Sequence, residues 1–566
     1  MTQNTNKQET QVPFIQNTYN KTFWYDLFLL ILLFAPLYFL FLGNRPFATP
    51  DEARYVEIPR EMLATGDWIT PRLNGVKYFE KPPLLYWVGA VFQYLFGLKE
   101  FAMRIPIVLF GLTGIIGTYI FGRHFFNRKT ALYAAFILGS SSLYFVLSRL
   151  IILDMAVSTF ITLSLFSFYR AQEETDLKKR RLFYTLFTLF CAFGVLTKGI
   201  MALVVTGSVI LFWATYAGRW RYIFPAYLPS NLILFLVITA PWHILASLKT
   251  PEFAYKYFIV EHFLRYTTTL HLRHQPVWFF IPILISGFLP WSAIFFQSFR
   301  KAYSDFKKPL YSFLIIWFAF VFIFFSISQS KLIPYILPLF APTALIVGHY
   351  LNDLISNGTP LKWPFKNITI LSVACGIAAL TATHFFPELN TTKIELLPYV
   401  KALSICFFSI VFFSLPLLKL KKQVFGIALS SIAIMLILIP ASPHIQRPSL
   451  NTLIKIAMKE KKPYEPIASY MAYFQDLPVY ANKTVMVVDA KGELEFGTLI
   501  EDTSSWMISN AAFQKELQTN TVSYWIFVRN DIINKLKNEN PTIQMNIIAC
   551  ENNVCLIKSK KKKFSF

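Results

Sequence analysis

The feature that most restricts this chain is a series of apolar runs, each long enough to cross a lipid bilayer, that recurs from Phe23 to Pro440. A hydrocarbon core of roughly 30 Å takes about 20 apolar residues of helix. Backbone groups in lipid must pair within their own segment, so such runs form helices. Of the 566 residues, 55% are hydrophobic and 15% are charged. A soluble chain of this length would need more polar surface. The expectation is an all-α polytopic membrane protein. Its start, Met1 to Asn20, is polar and is not a cleavable signal peptide, and the first run, Phe23 to Leu42, is long enough to stay in the membrane.

The runs fall near 23–42, 104–122, 131–148, 155–170, 182–197, 200–217, 227–245, 277–298, 310–328, 332–350, 367–385, 400–418 and 424–440. One further apolar stretch, Leu84 to Gly97, has only 14 residues, short for a span and normal for an interfacial or re-entrant helix. Leaving it uncrossed puts every compact basic cluster on one side. These clusters are Arg123, Arg128 and Lys129; Lys178 to Arg181; Arg219 and Arg221; Arg300, Lys301, Lys307 and Lys308; Lys362 and Lys366; and Lys419, Lys421 and Lys422. That asymmetry follows the positive-inside rule and sets about thirteen spans. The domains then read as an inside N-terminus at 1–22, a transmembrane domain at 23–440, and an outside C-terminal domain at 441–566. The same clusters account for the formal net charge of +23, which makes membrane lipids partners and excludes nucleic acid.

Two outward loops of real size, 43–103 and 246–276, accompany the C-terminal segment. That segment carries strand-like runs at Thr484–Val488, Ser523–Val528 and Gln544–Ile548 with helical stretches between them, and reads as a small α/β domain. Its final Lys560 to Lys563 run reads as a solvated tail. Cys191, Cys375 and Cys406 sit in apolar runs as core residues, whereas Cys550 and Cys555 lie in the polar tail, where a disulfide is open to them if that tail is outside.

The first outward loop concentrates mixed charge and aromatics at the membrane surface. Asp51, Glu52, Arg54, Lys77, Glu80 and Lys81 lie beside Tyr55, Trp68, Tyr78 and Phe79. Lysines hold phosphates and aromatic faces stack on sugars, so the loop suits an amphiphile with a phosphate head and a polar ring. Alone it is also an ordinary solvated loop. Other outward turns shift the balance: Arg149 and Asp154; Lys198; Glu261, His262 and Arg265; Lys331 and Tyr335. Ionisable groups converging on one face are what a site requires.

Three blocks, Asp51-Glu-Ala-Arg-Tyr55, Tyr78-Phe-Glu-Lys-Pro-Pro83 and Lys331 to Pro338, resemble the aminoarabinose transferases of lipid A. These belong to the protein-mannosyltransferase-like glycosyltransferases of the type C membrane fold. The likeness covers roughly 23–350 in sequence. It implies an enzyme of the bacterial inner membrane, facing the periplasm, that moves a sugar from a polyprenyl-phosphate donor to a lipid A phosphate with inversion. By position, Asp51 matches the essential acid of the first loop, and Lys81 matches a ligand of the donor phosphate. Lys77 stands where relatives often have arginine, which keeps the charge and loses the bidentate fork. Asp154 joins Asp51 as a catalytic candidate. Arg54, Tyr55, Tyr78, Lys198, Arg265, Lys331 and Tyr335 join Lys77 and Lys81 as substrate-binding candidates. The resemblance also implies zinc held by Glu80 and His262, as a clasp between loops; spacing alone does not specify a metal.

In the mechanism so implied, Lys77, Lys81 and Lys331 stabilise phosphate charge as the donor leaves. Asp51 either takes a proton from the acceptor or orients it. Arg149, Asp154, Lys198 and Arg265 read equally well as a structural ion network along the outer rim. A protein or glycan hydroxyl as acceptor fits the same motifs. A lipid-linked sugar flippase shares the helical bulk but would place ionisable groups near the bilayer midplane. The sugar stays open between aminoarabinose and another amino sugar, and nothing in the sequence fixes an oligomeric state.

Overall fold

The computed structural model describes residues 21–220, 228–268, 273–357, 362–385, 396–414, 420–445 and 449–561. The expectations for most of 1–22, for Arg221 and Lys419, and for the end of the Lys560 to Lys563 run lie outside them. Helix α1 (Lys21–Phe39) enters the bundle, α2 (Asp51–Thr65) and the short α3 (Leu84–Phe96) form the first loop, and α4 (Glu100–Phe125) returns. The 13 residues of α3 are too few to span, in line with its reading as an interfacial helix.

Seven described helices are long and apolar enough to cross a membrane, and the bent pair Val277–Gly287 and Trp291–Ser304 makes an eighth if taken as one span. The remaining expected spans coincide with shorter, more polar or interrupted helices: Arg128–Ser140 with Ser142–Leu147, Leu153–Glu173, Met201–Ala217, Lys362–Phe385 and Leu397–Ser414. Leu153–Glu173 tolerates Ser158, Thr159, Thr162, Ser164 and Ser167 because nearly all of it is buried against other helices. The run 277–298 is not one straight span: the chain turns by 110° between Gly287 and Trp291, where Pro290 removes a backbone donor.

The two ends of the bundle are chemically distinct. At one end Asp26 pairs with Arg123 at 2.8 Å and Arg128 at 2.6 Å, among the basic clusters. At the other end lie α2, α3 and the C-terminal domain. The last carbonyls of α1 and the residues that follow have no helical partner, and two arginines supply it. Arg149 donates to Leu37, Tyr38 and Leu40, and Arg104 donates to Leu42, Arg45 and Pro46.

A two-residue turn, Asn74-Gly75, joins β1 (Arg72–Leu73) to β2 (Val76–Lys77) with φ of +52° and +79°. That left-handed pair is the hairpin geometry Asn-Gly favours. The C-terminal domain adds β3 (Ile467–Tyr470), β4 (Met486–Val488), β5 (Met507–Ile508), β6 (Trp525–Arg529), β7 (Ile543–Glu551) and β8 (Val554–Lys561) in the order β5-β4-β3-β6-β8-β7. The first four positions run parallel, and β8 and β7 are antiparallel. Separate apolar cores cover the two faces of the sheet. Cys550 and Cys555 face each other across β7 and β8 and are disulfide-bonded. The preceding helix, Leu420–Ile445, runs past the boundary expected at 440.

Candidate active site

The neighbouring acids Asp51 and Glu52 open α2, where two carboxylates complement the helix N-terminus. Their fates differ. The Glu52 side chain is 1% exposed and lies 2.6 Å from Arg45 and 2.8 Å from Arg104. It also accepts from the backbone amides of Ala48 and Ile151. Burial acts to raise its pKa, but Arg104 and Arg45 hold the carboxyl far below the usual range. Glu52 therefore fastens the loop to the bundle. The Asp51 side chain is 60% exposed, with Arg54 at 3.7 Å, and is free to meet a substrate.

The Tyr78-Phe-Glu-Lys segment follows the hairpin. Tyr78 and Phe79 are buried, and Phe79 packs edge-on against Phe253 in a small cluster with Trp242 and Tyr257. This anchoring carries Lys81 to the rim of a cavity of about 640 Å³. Lys81, Lys198, Arg265 and Tyr335 line its polar head, and Phe258, Phe263, Met201, Val204, Phe324 and Phe325 are among its apolar wall. Glu261 also lines the head and is its hub, 3.0 Å from Arg265, 3.0 Å from Lys256 and 3.8 Å from Lys81. Burial would raise its pKa, but Lys81, Lys256 and Arg265 bring it down to about 2. Burial, then the nearby Arg265 charge, pushes the Lys81 ammonium down to about 7 against the pull of Glu261. Tyr335 lies beside Arg265 in the same head.

Lys198 ends the helix Leu177–Lys198, pairs with Asp154 in the first turn of Leu153–Glu173, and lies 4.6 Å from the Tyr335 ring centre. His262 stands on the π-helix Tyr255–Leu264, where Nδ1 lies 2.6 Å from the Tyr257 carbonyl. The Lys198 carbonyl lies near the same ring. Burial, opposed by these carbonyls, lowers the imidazole to about 4. The ring is thus neutral, and its one N–H, on Nδ1, donates to the Tyr257 carbonyl. No group of three or more His, Cys, Asp or Glu able to hold a metal occurs among the described residues. Glu80 and His262 would supply two of the three or four protein ligands that a zinc ion takes.

Lys81, Lys198, His262, Arg265 and Tyr335 thus converge on one cavity, with Asp154 behind Lys198. Other candidates sit differently. The Lys331 ammonium donates to the carbonyls of Gln275 and Ser328, so it ties two loops and is not among the lining residues. The amide of Lys77 donates to Glu501 at 2.6 Å, and its side chain does not line the cavity. Tyr55 stacks on Tyr86 at 6.0 Å and is buried like Tyr78. Neither offers a sugar-stacking face, because ring burial wins where packing partners are present. Arg54 is buried between Asp51 and the C-terminal domain. Lys256 and the apolar wall were not singled out from sequence; aromatic residues there look like any residue of a span.

The family described as Dolichyl-phosphate-mannose-protein mannosyltransferase matches residues 25–270, and the Aminoarabinose transferase C-terminal domain matches residues 453–559. The chain is 36% identical over 366 residues to undecaprenyl phosphate-alpha-4-amino-4-deoxy-L-arabinose arabinosyl transferase 1 of Proteus mirabilis, covering 64% of this chain and 65% of that one. It is 32% identical over 377 residues to the corresponding transferase of Serratia proteamaculans, covering 65% and 68%. The matched stretch is thus just under two thirds of the Proteus protein. The crystal structure of ArnT from Cupriavidus metallidurans bound to undecaprenyl phosphate superposes with a TM-score of 0.81 at 26% identity, covering 95% of this chain and 98% of that one. Sequence, both matched regions and fold agree: the chain belongs to the aminoarabinose transferase family, within the protein-mannosyltransferase-like glycosyltransferases.

Proposed function

We propose that this chain transfers 4-amino-4-deoxy-L-arabinose from undecaprenyl phosphate to a lipid A phosphate at the periplasmic face of the inner membrane. The observation that carries the reading is the cavity, where a cationic head meets a long apolar wall. A polyprenyl phosphate has that same division, and the Cupriavidus relative is described as bound to undecaprenyl phosphate. Lys81, Lys198 and Arg265 hold the donor phosphate, and the Tyr335 hydroxyl adds a neutral donor. The phenylalanines receive the first isoprene units.

Transfer is a displacement at the anomeric carbon. The acceptor oxygen forms a bond there as the bond to the donor phosphate oxygen breaks, and the electron pair leaves with undecaprenyl phosphate. Leaving charge builds beside Lys81 and Arg265, where low dielectric strengthens its attraction. Asp51 orients the acceptor. A lipid A phosphate is already ionised, so little proton removal is required. The product carries an ammonium beside a phosphate, and is expected to bind polymyxin less well. Mass spectrometry of lipid A tests the reading in cells. A pentosamine increment present with the wild type and absent with Asp51→Asn supports it, and identical spectra count against lipid A as acceptor.

A further inference from the structure

The geometry points to Glu493, on the C-terminal domain, as a positioning residue for the transfer, acting on Asp51 through Arg54. This rests on the transferase reading above. The segment from Gly492 to Glu501 lies against the first loop and meets it at successive points. Glu493 approaches Arg54 Nε at 2.6 Å, and its other oxygen accepts from Gln475 at 2.9 Å. Phe496 lies 5.5 Å from Lys256 Nζ and packs on the aromatic cluster that anchors Phe79. Gly497 abuts Val76 and Lys77, and Glu501 accepts from the Lys77 amide and pairs with Arg72 at 3.1 Å.

Within this seam the Arg54–Glu493 contact differs from its neighbours, because Arg54 is also the cation nearest Asp51. Arg54 is 9% exposed, its charge is felt by Tyr55, Tyr78 and Tyr86, and Glu80 and Glu493 act on it in return. A buried guanidinium must be matched. Its partner at 2.6 Å is Glu493, while Asp51 stands at 3.7 Å. The C-terminal carboxylate therefore holds Arg54 back and leaves Asp51 turned outward toward the acceptor. Without that charge, the guanidinium closes on Asp51, the nearest remaining carboxylate of its own helix, and the acceptor loses its orienting group. Donor phosphate contacts lie with Lys81, Lys198 and Arg265, which do not touch Glu493. Loss of Glu493 should therefore reach turnover and spare donor affinity.

The test uses the full chain in lipid nanodiscs, with labelled undecaprenyl-phosphate aminoarabinose and lipid A, and compares wild type, Glu493→Gln, Glu493→Asp and Tyr480→Phe. The last variant removes a hydroxyl that accepts from the Phe47 amide at 2.8 Å, elsewhere on the same domain seam. The expected result is kcat lower by about tenfold or more in E493Q, with donor KM within about twofold, since misplacing a reacting group acts on turnover. E493D is intermediate and Y480F is close to wild type. Should E493Q not fold, E493D decides: lowered kcat at unchanged KM supports the role, and wild-type kcat overturns it. An E493Q as active as wild type, or a Y480F as impaired as E493Q, overturns it too. A wild type that transfers nothing removes the transferase reading and this role with it.

Discussion

Asp51 and Glu52 are adjacent carboxylates that a sequence cannot rank, and their surroundings give them opposite duties. Glu52 is matched to Arg45 and Arg104 inside the protein, so Glu52→Gln leaves buried cations short of charge and should cost about 3–5 kcal/mol. Thermal unfolding in detergent should show that loss, while Asp51→Asn melts like the wild type and is inactive. A second expectation concerns Lys81, whose ammonium burial brings to about 7. The sugar-bearing donor is a phosphodiester and keeps its negative charge across this range. Donor binding favours charged Lys81, so affinity is greatest below pH 7 and declines as pH rises through it. Lys81→Arg stays charged and should flatten the dependence of donor KM on pH. Lys81 was legible because it sits in a specific motif. Phe258, Phe263 and Phe324 were not, since an apolar residue facing a cavity looks like one facing lipid.

Among the elements, the join between Leu177–Lys198 and the π-helix Tyr255–Leu264 has the clearest consequences. Gly199 follows the first helix with φ of +83°, and a Cβ there would collide with His262 Nε2. Gly199→Ala should therefore lower the melting temperature, at a backbone cost of about 1–3 kcal/mol before the clash. It should also lower activity, because Lys198 ends the same helix. The hydrogen-bond role of His262 separates from a metal role. His262→Asn keeps an N–H for the Tyr257 carbonyl and should melt nearer the wild type than His262→Ala, and EDTA should leave activity unchanged. A zinc ligand predicts equal losses and sensitivity to the chelator. Long helices were readable from apolar length. The 110° turn near Pro290 was not, because apolar composition continues through it, and the Asn74-Gly75 hairpin was overlooked although its dipeptide signals such a turn.

At the scale of the whole molecule, the bundle keeps its basic clusters at one end and the cavity head, Asp51 and the C-terminal domain at the other. The clusters made that polarity legible, since their charges are placed by the membrane and not by packing. The seam between the C-terminal domain and the first loop was not legible. It joins residues as far apart as Asn74 and Val485, which exchange two hydrogen bonds, and no local pattern records such a pairing. In the proposed reaction the sugar passes from a lipid phosphate held in the cavity to an acceptor placed by Asp51. Its most direct measurement incubates the purified chain with labelled undecaprenyl-phosphate aminoarabinose and lipid A. Labelled lipid A and free undecaprenyl phosphate in equal amounts are expected with the wild type, and neither with Asp51→Asn. Donor recovered intact from the wild type, or equal transfer by Asp51→Asn, would contradict it.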